Sequence, residues 1–76
     1  MPSKLPSVPS RRVIRALERA GFAVATSRGK GSHTFMWRAS DQRTTNVPNH
    51  NPVKKGTLRK IVRDAGLTVE QFVDLL

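Results

Sequence analysis

His33 and His50 are the only histidines in this 76-residue chain, and cysteine is absent. Acid–base chemistry near neutral pH therefore falls to two imidazoles, the side chain that changes protonation most readily in that range. His33 closes the run Arg28-Gly29-Lys30-Gly31-Ser32-His33, where a glycine-rich turn hands over to a strand. Gly29 and Gly31 would let the backbone approach a phosphate oxygen and Lys30 would add charge, although the same residues also suit a plain tight turn. Fourteen Lys and Arg against five Asp and Glu leave a net charge of +9. A phosphate-rich polymer is the favoured partner of such a surface. A titratable group inside that field points to cleavage of the polymer as well as binding.

Other chemistries fit less well. The Gly-Lys-Gly-Ser stretch lacks the G-x-x-x-x-G-K-[ST] spacing of a P-loop and precedes a strand instead of a helix. Two histidines with no Asp or Glu near them do not make a metal-ligand set, so no metal and no cofactor are expected. Without cysteine there is neither a disulfide framework nor a thiolate site, which is compatible with a reducing cytosol. Residues 1–10 carry no apolar signal-peptide core, and no segment approaches the ~18 apolar residues of a membrane span. A cytoplasmic protein with no membrane partner is expected.

The elements that must position His33 follow from spacing and punctuation. Residues 1–9 hold three prolines and two serines and read as a flexible N-terminal segment. Residues 10–76 read as one domain. Ser10 suits an N-cap, and Val13, Ile14, Ala16, Leu17 and Ala20 recur at helical spacing over 11–20, with Arg12, Arg15 and Arg19 opposite and Gly21 as the stop. Strands are predicted over 22–27, 33–38 and 43–47, the last closed by Pro48. Turns this short require an antiparallel meander. A second helix is predicted over 55–65, with Leu58, Ile61, Val62 and Ala65 inward and Gly66 as its stop. Thr68 and Gln71 have capping-box spacing, with Leu67 and Phe72 as a hydrophobic staple before a short helix that ends at Leu76. The fold class is α+β, an αβββα order plus a C-terminal helix, with helices on one face of a three-stranded antiparallel sheet.

All fourteen bases lie within residues 1–63, beside only Glu18 and Asp41, whereas 64–76 hold Asp64, Glu70 and Asp74 and no base. The basic surface therefore belongs to the body and not to the last helix. On the second strand His33, Phe35 and Trp37 share one side, and Thr34, Met36 and Arg38 share the other. The sequence leaves open which side faces inward. The cost of exposing two large aromatics in so small a domain favours Phe35 and Trp37 as core, and the alternative makes them a base-stacking platform beside His33. Antiparallel pairing also predicts that His33 lies near Val47 and Pro48; were the Asn49-His50 segment within reach too, the two imidazoles would make an acid–base pair, although a loop histidine after a proline is more often plain polar surface.

Four segments carry a resemblance: Lys30-Gly31-Ser32-His33, Thr45-Asn46-Val47-Pro48-Asn49-His50-Asn51, Gly56-Thr57-Leu58-Arg59-Lys60-Ile61, and Ala65-Gly66-Leu67 through Phe72 to Leu75-Leu76. In this order and spacing, with the Leu17-Glu18-Arg19-Ala20-Gly21-Phe22 junction, the chain resembles the HicA family of toxin–antitoxin systems, also called YcfA-like mRNA interferases. The resemblance implies a fold like that of double-stranded-RNA-binding domains. It also implies metal-independent endoribonuclease activity on mRNA and a cognate HicB antitoxin that masks the active site. His33 would be the catalytic residue, supported by Lys30, Gly31, Ser32 and His50. Arg28 and Lys30 with Lys54, Lys55, Arg59 and Lys60 would bind RNA, the last four resembling the phosphate-contacting helix start of double-stranded-RNA-binding domains. Phe35-Met36-Trp37 differs from family members that carry an aliphatic run there. A non-catalytic RNA-binding module of the same fold is the alternative reading.

Overall fold

The computed structural model describes residues 5–25 and 33–76. The element order is α1 (Ser10–Arg19), β1 (Ala23–Val24), β2 (His33–Arg38), β3 (Arg43–Pro48), α2 (Lys55–Asp64) and α3 (Val69–Leu75). The three strands form one antiparallel sheet in the order β1-β2-β3. This is the expected α+β architecture with a C-terminal helix, consistent with a fold like that of double-stranded-RNA-binding domains. Among the described residues no helix is long and apolar enough to cross a membrane.

Helical spacing brings Val13, Ala16 and Leu17 of α1 and Leu58, Ile61 and Val62 of α2 to one side each, where they are buried together. Both helices stop where a positive φ is required, at Gly21 (φ 98°) and Gly66 (φ 73°). These glycines also make room. A Cβ on Gly66 would lie 2.7 Å from Arg43 Nε, and one on Gly21 3.1 Å from Arg38 Cδ. α3 begins with the expected capping box: the Gln71 N–H donates to Thr68 Oγ1 at 3.0 Å, and the Thr68 N–H donates to Gln71 Oε1 at 2.9 Å.

Three expectations are corrected. First, the face of β2 that enters the core carries Met36, fully buried, while Phe35 is half-buried and Trp37 is 43% exposed. Parity decides this, because side chains alternate and the partner strand buries Thr45 and Val47 opposite Met36 and Thr34. Phe22 and Phe72, buried beside the helical aliphatics, supply the aromatic volume that Phe35 and Trp37 do not. Second, within the segment read as flexible, residues 5–9 are anchored, with Leu5 2% exposed and Val8 fully buried, while residues 1–4 lie outside the described residues. Pro9 lies at φ −71°, ψ 156°, near polyproline geometry, in which residues three apart share a side. The Val53 N–H donates to the Val8 carbonyl at 2.9 Å and fixes this strap. Third, Pro9 and not Ser10 caps α1. The Ser10 N–H reaches the His50 carbonyl and Asn51 Oδ1, each at 3.2 Å, the Arg12 and Val13 N–H groups donate to the Pro9 carbonyl, and the Ser10 hydroxyl shares its one hydrogen between the Asn49 and Asn51 side-chain oxygens. Of the strand predicted over 22–27, Ala23–Val24 form β1, Phe22 and Ala25 flank it, and residues 26 and 27 lie outside the described residues.

The end of the sheet far from His33 is tied by arginines. Arg38 donates to Asp41 at 2.8 Å and to the carbonyls of Ala20 and Ala65, so one guanidinium joins the ends of α1 and α2 to the β2–β3 turn. It also lies 4.7 Å from the centroid of the Phe22 ring. The Arg38 hydrogen bond, helped by the Arg43 N–H, holds the Asp41 carboxyl down at about 2. A carboxyl depressed in the folded chain contributes stability that is complete above its unfolded value and disappears as pH falls through the folded one. Asp41→Asn is therefore expected to flatten the loss of stability between about pH 4 and pH 2, measured as urea midpoints by circular dichroism.

Candidate active site

His33 is the first residue of the central strand and is exposed. Its register partner is Pro48, as antiparallel pairing required. Alternation puts it in one row with Phe35 and Trp37, on the sheet face that the helices leave open. The imidazole also lines a cleft of about 470 Å³ between the β3 edge and α2, bordered by Thr44 and Asn46 from the sheet and by Thr57, Lys60 and Asp64 from the helix. The helical residues come together because 57, 60, 61 and 64 follow the i, i+3, i+4, i+7 pattern of a single face.

Lys60 brings positive charge to the cleft. Its Nζ pairs with Asp64 Oδ2 at 3.1 Å, and the lysine side chain is 74% exposed. An ion pair this open is weak enough for a polyanion to displace the carboxylate. Thr45, 3% exposed, borders the same cleft, and among the described residues its hydroxyl has no hydrogen-bond partner. Among the described residues the site therefore combines an imidazole, one exposed ammonium and a fringe of hydroxyl and amide groups. That set can bind a phosphodiester and transfer a proton to or from it.

The basic cluster predicted at the start of α2 divides. Lys60 faces the cleft, whereas Lys55 and Arg59, one helical turn apart, occupy a separate exposed line and Lys54 is the N-cap residue. No acid occupies the first turn of α2. Cations at a helix N-terminus oppose the macrodipole, a conflict that an arriving anion relieves. Arg28, Lys30, Gly31 and Ser32 lie outside the described residues. His50 is exposed but does not border the cleft of His33. Its backbone is structural: the N–H donates to the Pro48 carbonyl at 2.9 Å and the carbonyl accepts from Ser10.

Sequence reasoning missed Thr44, Asn46, Thr57 and Asp64 as cleft residues. The helical spacing of Thr57 and Asp64 with Lys60 was available as a signal; the approach of α2 to Thr44 and Asn46 was not, since it depends on how the helix packs against β3. On α1, Arg19 donates to the carbonyls of Leu75 at 2.6 Å and Leu76 at 3.2 Å, so part of the basic outer face of that helix secures the end of α3. Among the described residues no three His, Cys, Asp or Glu side chains gather as a metal site.

A family model described as the HicA toxin of bacterial toxin–antitoxin systems matches residues 10–67. No curated protein matches the chain.

Proposed function

Since the chain belongs to the HicA family of toxins of bacterial toxin–antitoxin systems, we propose that it exerts its toxicity as a metal-independent endoribonuclease with His33 as the catalytic residue. The observation that carries this reading is the exposed imidazole of His33 on a cleft that also holds the Lys60 ammonium. A ribose 2′-oxygen attacks the adjacent phosphorus and gives up its proton. The P–O5′ bond breaks, and the departing 5′-oxygen takes a proton. The products are a 2′,3′-cyclic phosphate and a free 5′-hydroxyl, so no water, metal or redox partner is consumed. His33 serves one of the two proton transfers, and Lys60 offsets the charge that builds on the phosphoryl oxygens.

The antitoxin partner that such a system carries would, on this reading, be a HicB-type protein with an acidic surface that covers the cleft, since a mask must complement what it covers. End-labelled mRNA incubated with the purified chain in EDTA is expected to yield fragments ending in cyclic phosphate. A single 2′-deoxy substitution at a cut site is expected to abolish that cut. RNA that stays intact at high protein concentration would identify a non-catalytic RNA-binding module instead.

A further inference from the structure

We propose that Phe35 and Trp37 form a stacking track on the open sheet face that seats unpaired nucleobases and leads the strand to His33. The inference rests on the ribonuclease reading and assigns its substrate class: a single-stranded RNA segment. Trp37 is 43% exposed, and among the described residues it is the one large exposed hydrophobic on this face. Val24, also exposed, pairs with Met36 and so points to the other side, and Val73 belongs to α3. The neighbours across the sheet are short. Trp37 lies between Ala23 and Thr44, and Phe35 is opposite Asn46, with the Ala25 N–H donating to its carbonyl at 2.8 Å. These short neighbours leave the Trp37 ring exposed and the Phe35 ring half-buried, and Thr44 and Asn46 offer hydrogen-bonding groups beside them.

Spacing selects the occupant. Residues two apart on a strand are separated by about 6.7 Å, and duplex bases rise about 3.4 Å per step. Adjacent bases that remain stacked on each other cannot each occupy one ring, whereas an unstacked single strand can. The same row ends at His33, a further ~6.7 Å beyond Phe35, so a strand laid along β2 carries its backbone to the imidazole. The net charge of +9 favours a polyanion over a neutral partner.

Trp37 is the only tryptophan of the chain and reports on its own contacts. An uncleavable 2′-O-methyl single strand titrated into the protein is expected to quench its emission, and the same sequence as a duplex is not. Trp37→Leu and Phe35→Leu are each expected to weaken single-strand affinity by about 5- to 150-fold, measured by anisotropy for the first and by anisotropy and Trp37 quenching for the second. Both variants should keep the parent's circular dichroism. In cleavage assays each is expected to raise KM for a single-stranded substrate by a similar factor. Cleavage of RNA with no quenching and with parental affinity in both variants would overturn the track while leaving the nuclease reading intact. Quenching without cleavage would retain the track and reject the nuclease. Emission that changes on dilution without RNA, or only on addition of an acidic protein, would assign the face to protein docking and overturn the proposal.

Discussion

His33→Gln is expected to slow RNA cleavage by about 10²–10⁴-fold, the range that a positioned acid or base contributes, with little change in thermal stability. Glutamine keeps the size of the side chain and some hydrogen-bonding capacity but takes no part in proton transfer near neutral pH. The position allows a clean test because His33 is exposed at the start of β2 and belongs to no core cluster. Single-turnover rates on one labelled transcript separate the chemical step from binding. Affinity for the uncleavable 2′-O-methyl strand should stay within a few-fold of the parent, because the cationic surface and the aromatic row remain. A rate equal to the parent's in a folded His33→Gln protein would remove His33 from the chemistry. Equal losses of rate and affinity would make it a binding residue.

Much of the scaffold around His33 was legible because it depends on local patterns. Apolar residues at helical spacing marked α1 and α2, and glycines stood at the positive-φ positions where those helices end. The capping box of α3 lies within four consecutive residues, so no tertiary information was needed to find it. The nearness of His33 to Val47 and Pro48 followed from the short turns and the strand limits they imply. What stayed illegible depends on comparisons between distant segments. Both sides of β2 carry large apolar groups, so alternation alone could not choose between Met36 and the pair Phe35 and Trp37. The choice was made by Val47 and Thr45 across the sheet and by Phe22 and Phe72, which fill the interior from elsewhere in the chain. Pro6 and Pro9 mark residues 5–9 as neither helix nor strand, but such a segment with apolar residues three apart can pack as well as wander. The division of Lys54, Lys55, Arg59 and Lys60 between two surfaces depends on where β3 lies against α2, a relation no local window contains.

The largest expected effect on stability comes from a residue far from the chemistry. Phe72→Ala is expected to cost about 3–5 kcal/mol, the usual range for a fully buried phenylalanine. Phe72 is 0% exposed and belongs to a helix of only seven residues. Isolated helices shorter than about 12 residues are marginal in water, so α3 depends on what it packs against. Besides Phe72, α3 and its ends are held by the capping box, by the Arg12 and Arg19 bonds to the last carbonyls, and by Leu67, Leu75 and Leu76 against the core. A domain of this size is expected near the lower end of the ~5–15 kcal/mol range of folded proteins, so the loss removes most of its margin. Urea unfolding followed by helical circular dichroism and by Trp37 emission gives two views, one of the helices and one of the sheet. Coincident midpoints, both shifted far below the parent's, are expected if α3 closes the single core on which the sheet and His33 rest. A parental emission midpoint with an early loss of helical signal would show that α3 detaches alone and that the sheet holds the site without it.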